Sequence, residues 1–231
     1  CLMCDLWRNT TDAPVPPGAI PAQIDVALGQ LPPAQHVKLY NSGNFFDRQA
    51  IPPEDYTAIA DRVRMFRTVT VENHPRFCRS ECPRFRDLLG TDLAVGIGLE
   101  TAHREILDRL NKRMTLEDFE RAVGFLRHHA IGVRAFVLLR PPFMEEQEGV
   151  EWAVRSIEYA FSVGVQCCSV IPTRTGNGAL ERLHTAGLFD LPTLSSMETV
   201  LEAGILMDRG RVFMDLWDIE RFYECGRCGP L

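Results

Sequence analysis

Eight cysteines are the residues of this chain best suited to chemistry, and four of them come in spaced pairs. Cys1 and Cys4 are separated by two residues, and so are Cys225 and Cys228. Thiolates suit zinc and iron–sulfur clusters, and two of them at this spacing can grip one metal ion or neighbouring irons of a cluster. Three chemistries fit Cys1-Leu2-Met3-Cys4: half of a zinc site completed by Cys225 and Cys228, a redox dithiol, or part of a cluster loop. The second pair lies in Glu224-Cys225-Gly226-Arg227-Cys228-Gly229, where glycines would let backbone amides point at sulfur, as in a zinc knuckle or an auxiliary cluster. Cys167 and Cys168 are adjacent in an apolar run, so their side chains face opposite ways and read as core thiols. Cys78 and Cys82 complete the set.

Elements that position these residues follow from hydropathy periodicity. Five short runs rich in β-branched residues are expected as strands: His36–Tyr40, Arg67–Glu72, Leu93–Leu99, Val133–Leu139 and Gln166–Ile171. Nearly all are apolar on both faces, as strands covered by helices on one side and a barrel interior on the other would be. Segments of helical spacing lie between them. Leu116 to His129 has Thr115 and Asp118 as a capping box, an apolar stripe of Leu116, Phe119, Val123 and Leu126, and Gly132 as its stop. Glu145 to Val163 turns Val150, Ala153, Ile157 and Phe161 inward and stops at Gly164. Regular strand–helix alternation predicts parallel strands with helical crossovers, either a doubly wound sheet or a (β/α) barrel. No G-x-G-x-x-G follows the first strand, which removes the main support for a dinucleotide site. Each strand instead runs into polar residues at its C-terminal end: Asn41-Ser42-Gly43-Asn44, Asn73-His74-Pro75, Glu100-Thr101, Arg140-Pro141-Pro142 and Pro172-Thr173-Arg174. That is where a barrel builds its active site.

Composition frames this reading. The 231 residues carry a formal charge of −6, with 45% hydrophobic and 24% charged residues, which is globular and argues against disorder, collagen or a coiled coil. No run approaches the roughly 18 apolar residues of a membrane span, and no basic-then-apolar leader opens the chain, so a cytoplasmic protein with no membrane partner is expected. Only Lys38 and Lys112 are lysine among 25 basic residues. Between positions 62 and 86 lie seven arginines and two acids, an island that would suit RNA phosphates or would simply be a solvated face.

Taken in order, five segments resemble the radical S-adenosylmethionine (SAM) enzymes, specifically the group containing the radical SAM subunit of archaeosine synthase and Elongator-type catalytic subunits. Cys1-Leu2-Met3-Cys4-Asp5-Leu6-Trp7 resembles the last two cysteines of a C-x-x-x-C-x-x-C cluster loop. Lys38 to Asp47 resembles K-x-Y-x-S-G-S-F-x-D, and Val71-Glu72-Asn73-His74-Pro75 resembles an E-S-R-P segment. Gly98-Leu99-Glu100-Thr101 resembles G-L-E-T, and Leu139-Arg140-Pro141-Pro142-Phe143 resembles K-P-P-F. His74 and Arg140 depart from the Arg and Lys often found there.

The resemblance implies a partial (β/α)6 TIM-type barrel over residues 1–218, with a Cys-containing extension at 219–231. The first strand and first cluster cysteine would lie upstream of Cys1. It implies a [4Fe–4S] cluster on Cys1, Cys4 and that upstream cysteine, with SAM as the second cofactor. Ser42, Gly43 and Asn44 would approach the SAM amino group, Glu72 and Glu100 would accept from an ammonium or a ribose, and Arg140 would pair with the carboxylate. Glu100 with Thr101 has the alternative role of capping the next helix. Ferredoxin or flavodoxin would be the electron donor, and a tRNA nucleoside or a small molecule the substrate. From another class stands a zinc-stabilised, non-catalytic binding module using Cys1, Cys4, Cys225 and Cys228.

Overall fold

The computed structural model of the chain describes residues 1–223. Its class is α/β, a partial TIM-type barrel in which six parallel strands follow one another in chain order with helices between them. The strands are β1 (His36–Leu39), β2 (Thr68–Glu72), β3 (Asp92–Glu100), β4 (Gly132–Leu139), β5 (Cys167–Pro172) and β6 (Arg211–Met214). The helices are α1 (Ala19–Gln30), α2 (Tyr56–Val63), α3 (Glu81–Leu89), α4 (Arg104–Arg109), α5 (Leu116–His128), α6 (Glu146–Ser162), α7 (Ala179–Thr185) and α8 (Leu194–Leu206). None among the described residues is long and apolar enough to cross a membrane. The chain divides into two compact units.

The first unit comprises Leu6–Ile97 and Arg121–Val133. Here β1 pairs with β2 from His36↔Thr68 to Leu39↔Val71, and β2 pairs with β3 from Thr68↔Asp92 to Glu72↔Gly96. Threonine and valine alternate through β2 because a branched Cβ packs well on a pleated surface. The core of this unit is aromatic. Phe45, Phe46, Tyr56 and Phe85 are all buried, with ring centroids 4.8 Å apart for Phe45–Phe85 and 5.1 Å for Phe45–Phe46. Each such ring pair adds about 0.5–1.5 kcal/mol beyond the area it buries. Two of the four rings belong to the loop after β1, so the loop itself is core.

The second unit comprises Cys1–Asp5, Gly98–Glu120 and the chain from Arg134 on. β4 pairs with β5 from Arg134↔Cys167 to Leu139↔Pro172, and β5 with β6 from Cys167↔Arg211 to Val170↔Met214. Ile106, Leu110, Leu138 and Met144 form a buried cluster, against which Met3, Phe143, Trp152 and Ile171 pack. The expected core thiols are there: Cys167 and Cys168 are 3% and 0% exposed, and burial pushes the Cys168 thiol up to about 12.

The capping box of α5 is reciprocal, Asp118 N–H donating to Thr115 Oγ1 at 3.2 Å and Thr115 N–H to Asp118 Oδ2 at 2.9 Å. Its exit differs from the expectation. Ala130, at φ 52°, takes the left-handed position, and Gly132 opens β4. In α6 the inward stripe includes Gly149, while Val150 is half-buried. A Cβ on Gly149 would lie 2.8 Å from Arg140 Cα, so the missing side chain lets α6 dock against the end of β4.

Candidate functional site

In the second unit the Cys1–Cys4 turn is fixed by its backbone. Leu2 N–H donates to the Leu110 carbonyl at 2.9 Å, and the Leu2 carbonyl accepts from Asn177 Nδ2 at 2.8 Å. Asn177 Oδ1 in turn accepts from the first N–H groups of α7, at 3.0 Å from Ala179 and 2.9 Å from Leu180. Cys4 N–H closes the turn on the Cys1 carbonyl at 3.2 Å, which leaves Cys1 exposed and Cys4 half-buried. Among the described residues no three His, Cys, Asp or Glu side chains gather as a metal site. Cys225 and Cys228, with the four-cysteine zinc arrangement that needs them, lie outside the described residues.

Beside that turn is a cavity of about 370 Å³, with Met3, Leu138 and Ile171 as apolar lining and Asp5, Thr173 and Arg174 as polar lining. Trp217, Asp218 and Arg221 also border it. Arg174 donates through both Nη atoms to Asp215 Oδ2 at 3.0 Å, while its Nε is buried without a hydrogen-bond partner. Asp215 Oδ1 accepts from Trp217 N–H at 3.1 Å, so one carboxylate steadies two residues of the lining.

Glu100 stands at the end of β3 with φ 65° and is 7% exposed. Its Oε1 accepts from Lys112 Nζ at 2.6 Å, a pair with side chains only 9% and 11% exposed. Gly98 makes room for this pair, since a Cβ there would collide with both Glu100 Oε1 and Lys112 Nζ. The helix cap considered for Glu100 belongs to His103, whose Nδ1 accepts from Ile106 N–H, while Thr101 Oγ1 accepts from His103 N–H. Lys112 escaped sequence reading because Asn111 and Arg113, both left-handed at φ 53° and 55°, bring it back to Glu100. Its being one of two lysines in an arginine-rich chain was the available signal.

Arg140, at φ 51°, donates to Glu146 Oε2 and to the Leu191 carbonyl, each at 2.5 Å. Glu146 Oε1 also accepts from Thr193 N–H at 2.9 Å and from the Ser196 hydroxyl, which ties the start of α6 to the start of α8. Burial raises the Glu146 carboxyl, but these hydrogen bonds and the Arg140 charge outweigh it and hold the group below the usual carboxylate value.

In the first unit, Ser42, Gly43 and Asn44 form the loop after β1, all half-buried, with Ser42 at φ 56°. Asn44 Oδ1 accepts from His74 N–H at 2.6 Å, and Phe45 N–H donates to the Glu72 carbonyl at 2.9 Å. Asn73 Oδ1 accepts from Phe46 N–H at 3.5 Å, and Asn73 N–H donates to the Gly96 carbonyl at 2.9 Å. The loop is thus fastened to the ends of β2 and β3 by neutral groups. Glu72 is half-buried at the end of β2. The arginine island is partly matched by acids outside it: Arg62 with Asp25 at 2.7 Å, Arg86 with Asp87 at 2.5 Å, and Arg64 with Asp61.

No family model matches the chain. It is 28% identical over 214 residues to archaeosine synthase subunit beta of Methanosarcina acetivorans, covering 87% of this chain and 60% of that protein. It spans about three fifths of the length of the curated relatives it matches. Its fold is similar to that of the archaeal Elp3 of Methanocaldococcus infernus, with a TM-score of 0.66 at 16% identity over 85% of this chain and 51% of that one. It is also similar to coproporphyrinogen III oxidase of Escherichia coli, a radical SAM enzyme, with a TM-score of 0.52 at 12% identity over 81% of this chain and 44% of the other. These neighbours bear out the partial TIM-type barrel that the resemblance implied.

Proposed function

We propose that this chain is the core of a radical SAM enzyme that holds a [4Fe–4S] cluster through Cys1, Cys4 and one cysteine upstream. The observation that carries the reading is the Cys1–Cys4 turn, pinned through Leu2 beside a cavity that is apolar at Met3, Leu138 and Ile171. The donor set fits the cluster: two thiols share one turn whose backbone is anchored independently of them, and thiolate is the ligand such clusters take. When bound, cluster and SAM would supply reductive cleavage of the sulfonium and hydrogen abstraction from substrate.

The residues of this chain would bind, orient and exclude. The apolar lining of the cavity would keep water from the adenosyl group, and the buried Arg174 Nε would offer a donor to a ligand carbonyl, hydroxyl or ring nitrogen. Glu100 would present its second oxygen to a ribose or an ammonium while Lys112 holds the first. Arg140, turned to Glu146 and Leu191, would meet the SAM carboxylate as part of that charged group. Ser42, Gly43, Asn44 and Glu72 remain SAM-binding candidates by resemblance. A ferredoxin or flavodoxin would deliver the electron. The name of the curated relative favours a tRNA nucleoside as substrate over a small metabolite.

The test is anaerobic reconstitution of the full-length protein with iron and sulfide, followed by dithionite and SAM. Release of 5′-deoxyadenosine is expected from the wild type, with complete loss in Cys1→Ser and Cys4→Ser at unchanged melting temperature. A full-length protein that forms no iron–sulfur chromophore and releases no 5′-deoxyadenosine would overturn the reading.

A further inference from the structure

In the second unit the ends of β5 and β6 are stitched to each other. Arg174, after β5, donates to Asp215, after β6, and Arg221 Nη1 donates back to the Thr175 carbonyl at 3.1 Å. Asp215 N–H donates to the Val170 carbonyl at 2.8 Å, and the carbonyl of Asp218, a residue left-handed at φ 51°, accepts from Arg221 N–H at 3.1 Å. Buried Phe222 moors the segment, with the Arg174 guanidinium carbon 5.7 Å from its ring centroid. On this fastened rim stands Trp217, 73% exposed, at the border of the cavity. Asp215 Oδ1 accepts from its backbone N–H, so the chain is held there while the fold leaves the indole uncovered.

An uncovered tryptophan on a tied backbone fills no space in the core and suits a stacking platform. Other polar groups of the lining are already engaged. Thr173 Oγ1 donates to the Leu139 carbonyl, and Asn177 serves the Cys1–Cys4 turn and the start of α7. Two groups remain available: Arg174 Nε is a buried donor without a partner, and the half-buried Asp5 carboxylate takes no hydrogen bond from the described residues. The cavity thus offers an aromatic border, a donor and an acceptor, and its volume of about 370 Å³ falls in the range of small-ligand sites.

We infer that this rim is a nucleobase subsite, where an unpaired base of an RNA substrate stacks on Trp217 and turns its edge to Arg174 and Asp5. The inference deepens the proposed function and rests on it for the chemistry beside the Cys1–Cys4 turn. A base edge carries both donors and acceptors, whereas the rings of Phe, Tyr and Trp offer at most one polar group, so Arg174 with Asp5 fits a base better than a peptide side chain. Trp217 is open to solvent, where a base still attached to its strand can reach it. The apolar lining of Met3, Leu138 and Ile171 is left to the adenosyl group.

The test measures binding of the full-length protein to a labelled mixed-sequence RNA of about ten nucleotides, and to an abasic strand of the same length, by fluorescence anisotropy. Wild type should bind the base-bearing strand more tightly. Trp217→Leu should weaken that binding by about 5- to 150-fold, the range of one lost base stack, and leave unchanged the abasic strand, SAM in equilibrium dialysis and the melting temperature. Trp217→Phe should keep most of the affinity. Irradiating wild type with 5-bromouridine RNA and digesting it with trypsin should place the adduct on peptide 212–221, which holds Trp217. Three results would overturn the inference: equal binding of the two strands, as expected of a rim that takes a peptide; unchanged RNA affinity in Trp217→Leu; or a loss of SAM binding in that variant as large as the loss of RNA binding, which would give the rim to the adenine of SAM. The RNA readouts need no cluster, so a missing iron–sulfur chromophore would count against the proposed function and not against this subsite.

Discussion

The two units fasten their strand ends in different ways. After β1 and β2, the ties are neutral: Asn44 to His74 N–H, Asn73 to Phe46 N–H and to the Gly96 carbonyl, over a floor of aromatic rings. After β3, β4 and β5 they are ionic: Glu100 with Lys112, Arg140 with Glu146, Arg174 with Asp215. Amides hold their shape across pH and salt, whereas a carboxylate–cation pair holds only while both groups are charged and, if buried, is costly to break from one side. The same topological position, the C-terminal end of a parallel strand, thus carries amide ties in one unit and ion pairs in the other.

The largest effect expected comes from removing one partner of the most buried ion pair. Lys112→Met should leave Glu100 uncompensated and cost about 3–5 kcal/mol, read by urea unfolding, and adding Glu100→Gln to it should recover most of that loss. If the single variant costs less than about 1 kcal/mol, the pair is not the desolvated contact described, and the contrast between the units weakens. A smaller effect is expected on the neutral side. Asn73→Ala should cost about 1–3 kcal/mol and should do so equally at low and high salt. A marked salt dependence in that variant would mean that charge also acts there.

The smallest effect is a pH response confined to one unit. Glu146 is held below its usual value of 4.5 in the folded state, so the stability it contributes is full above that value and is lost as pH falls through the lower, folded one. Acidification from neutrality should therefore first speed amide exchange at Thr193, which Glu146 accepts from, while Phe45 and Phe46 exchange unchanged after correction for the intrinsic rate. Parallel acceleration at both places would erase the distinction between the units.

Much of the fold was legible because its signals are local. Five of the six strands announce themselves as β-branched runs, and the Thr115–Asp118 box lies within four residues. β6 was missed because four residues, Arg211–Met214, with one buried side chain are too few to show a period. Where α5 stops was misjudged because Ala130 adopts a backbone more usual for glycine. The candidate site was legible only in part, for the same reason. Strand-end residues such as Glu100, Arg140 and Arg174 sit where parallel topology puts active-site groups, so their positions could be read from order alone. Their partners could not. Lys112 reaches Glu100 through a turn with two strained residues, and Leu191, Asp215 and Asn177 meet theirs through tertiary packing.

The left-handed backbone at Ser42 turns a usually disruptive substitution into an informative one. A side chain there costs about 1–2 kcal/mol that glycine would not, while glycine loses about 0.4–1 kcal/mol through the greater freedom of its unfolded chain. Ser42→Gly should thus leave the melting temperature unchanged or slightly raised while deleting a hydroxyl from the loop. Any fall in SAM affinity would then belong to that one oxygen and not to a damaged scaffold. A position where tolerance and chemistry separate so cleanly gives directed evolution a place to exchange ligand contacts without first stabilising the host.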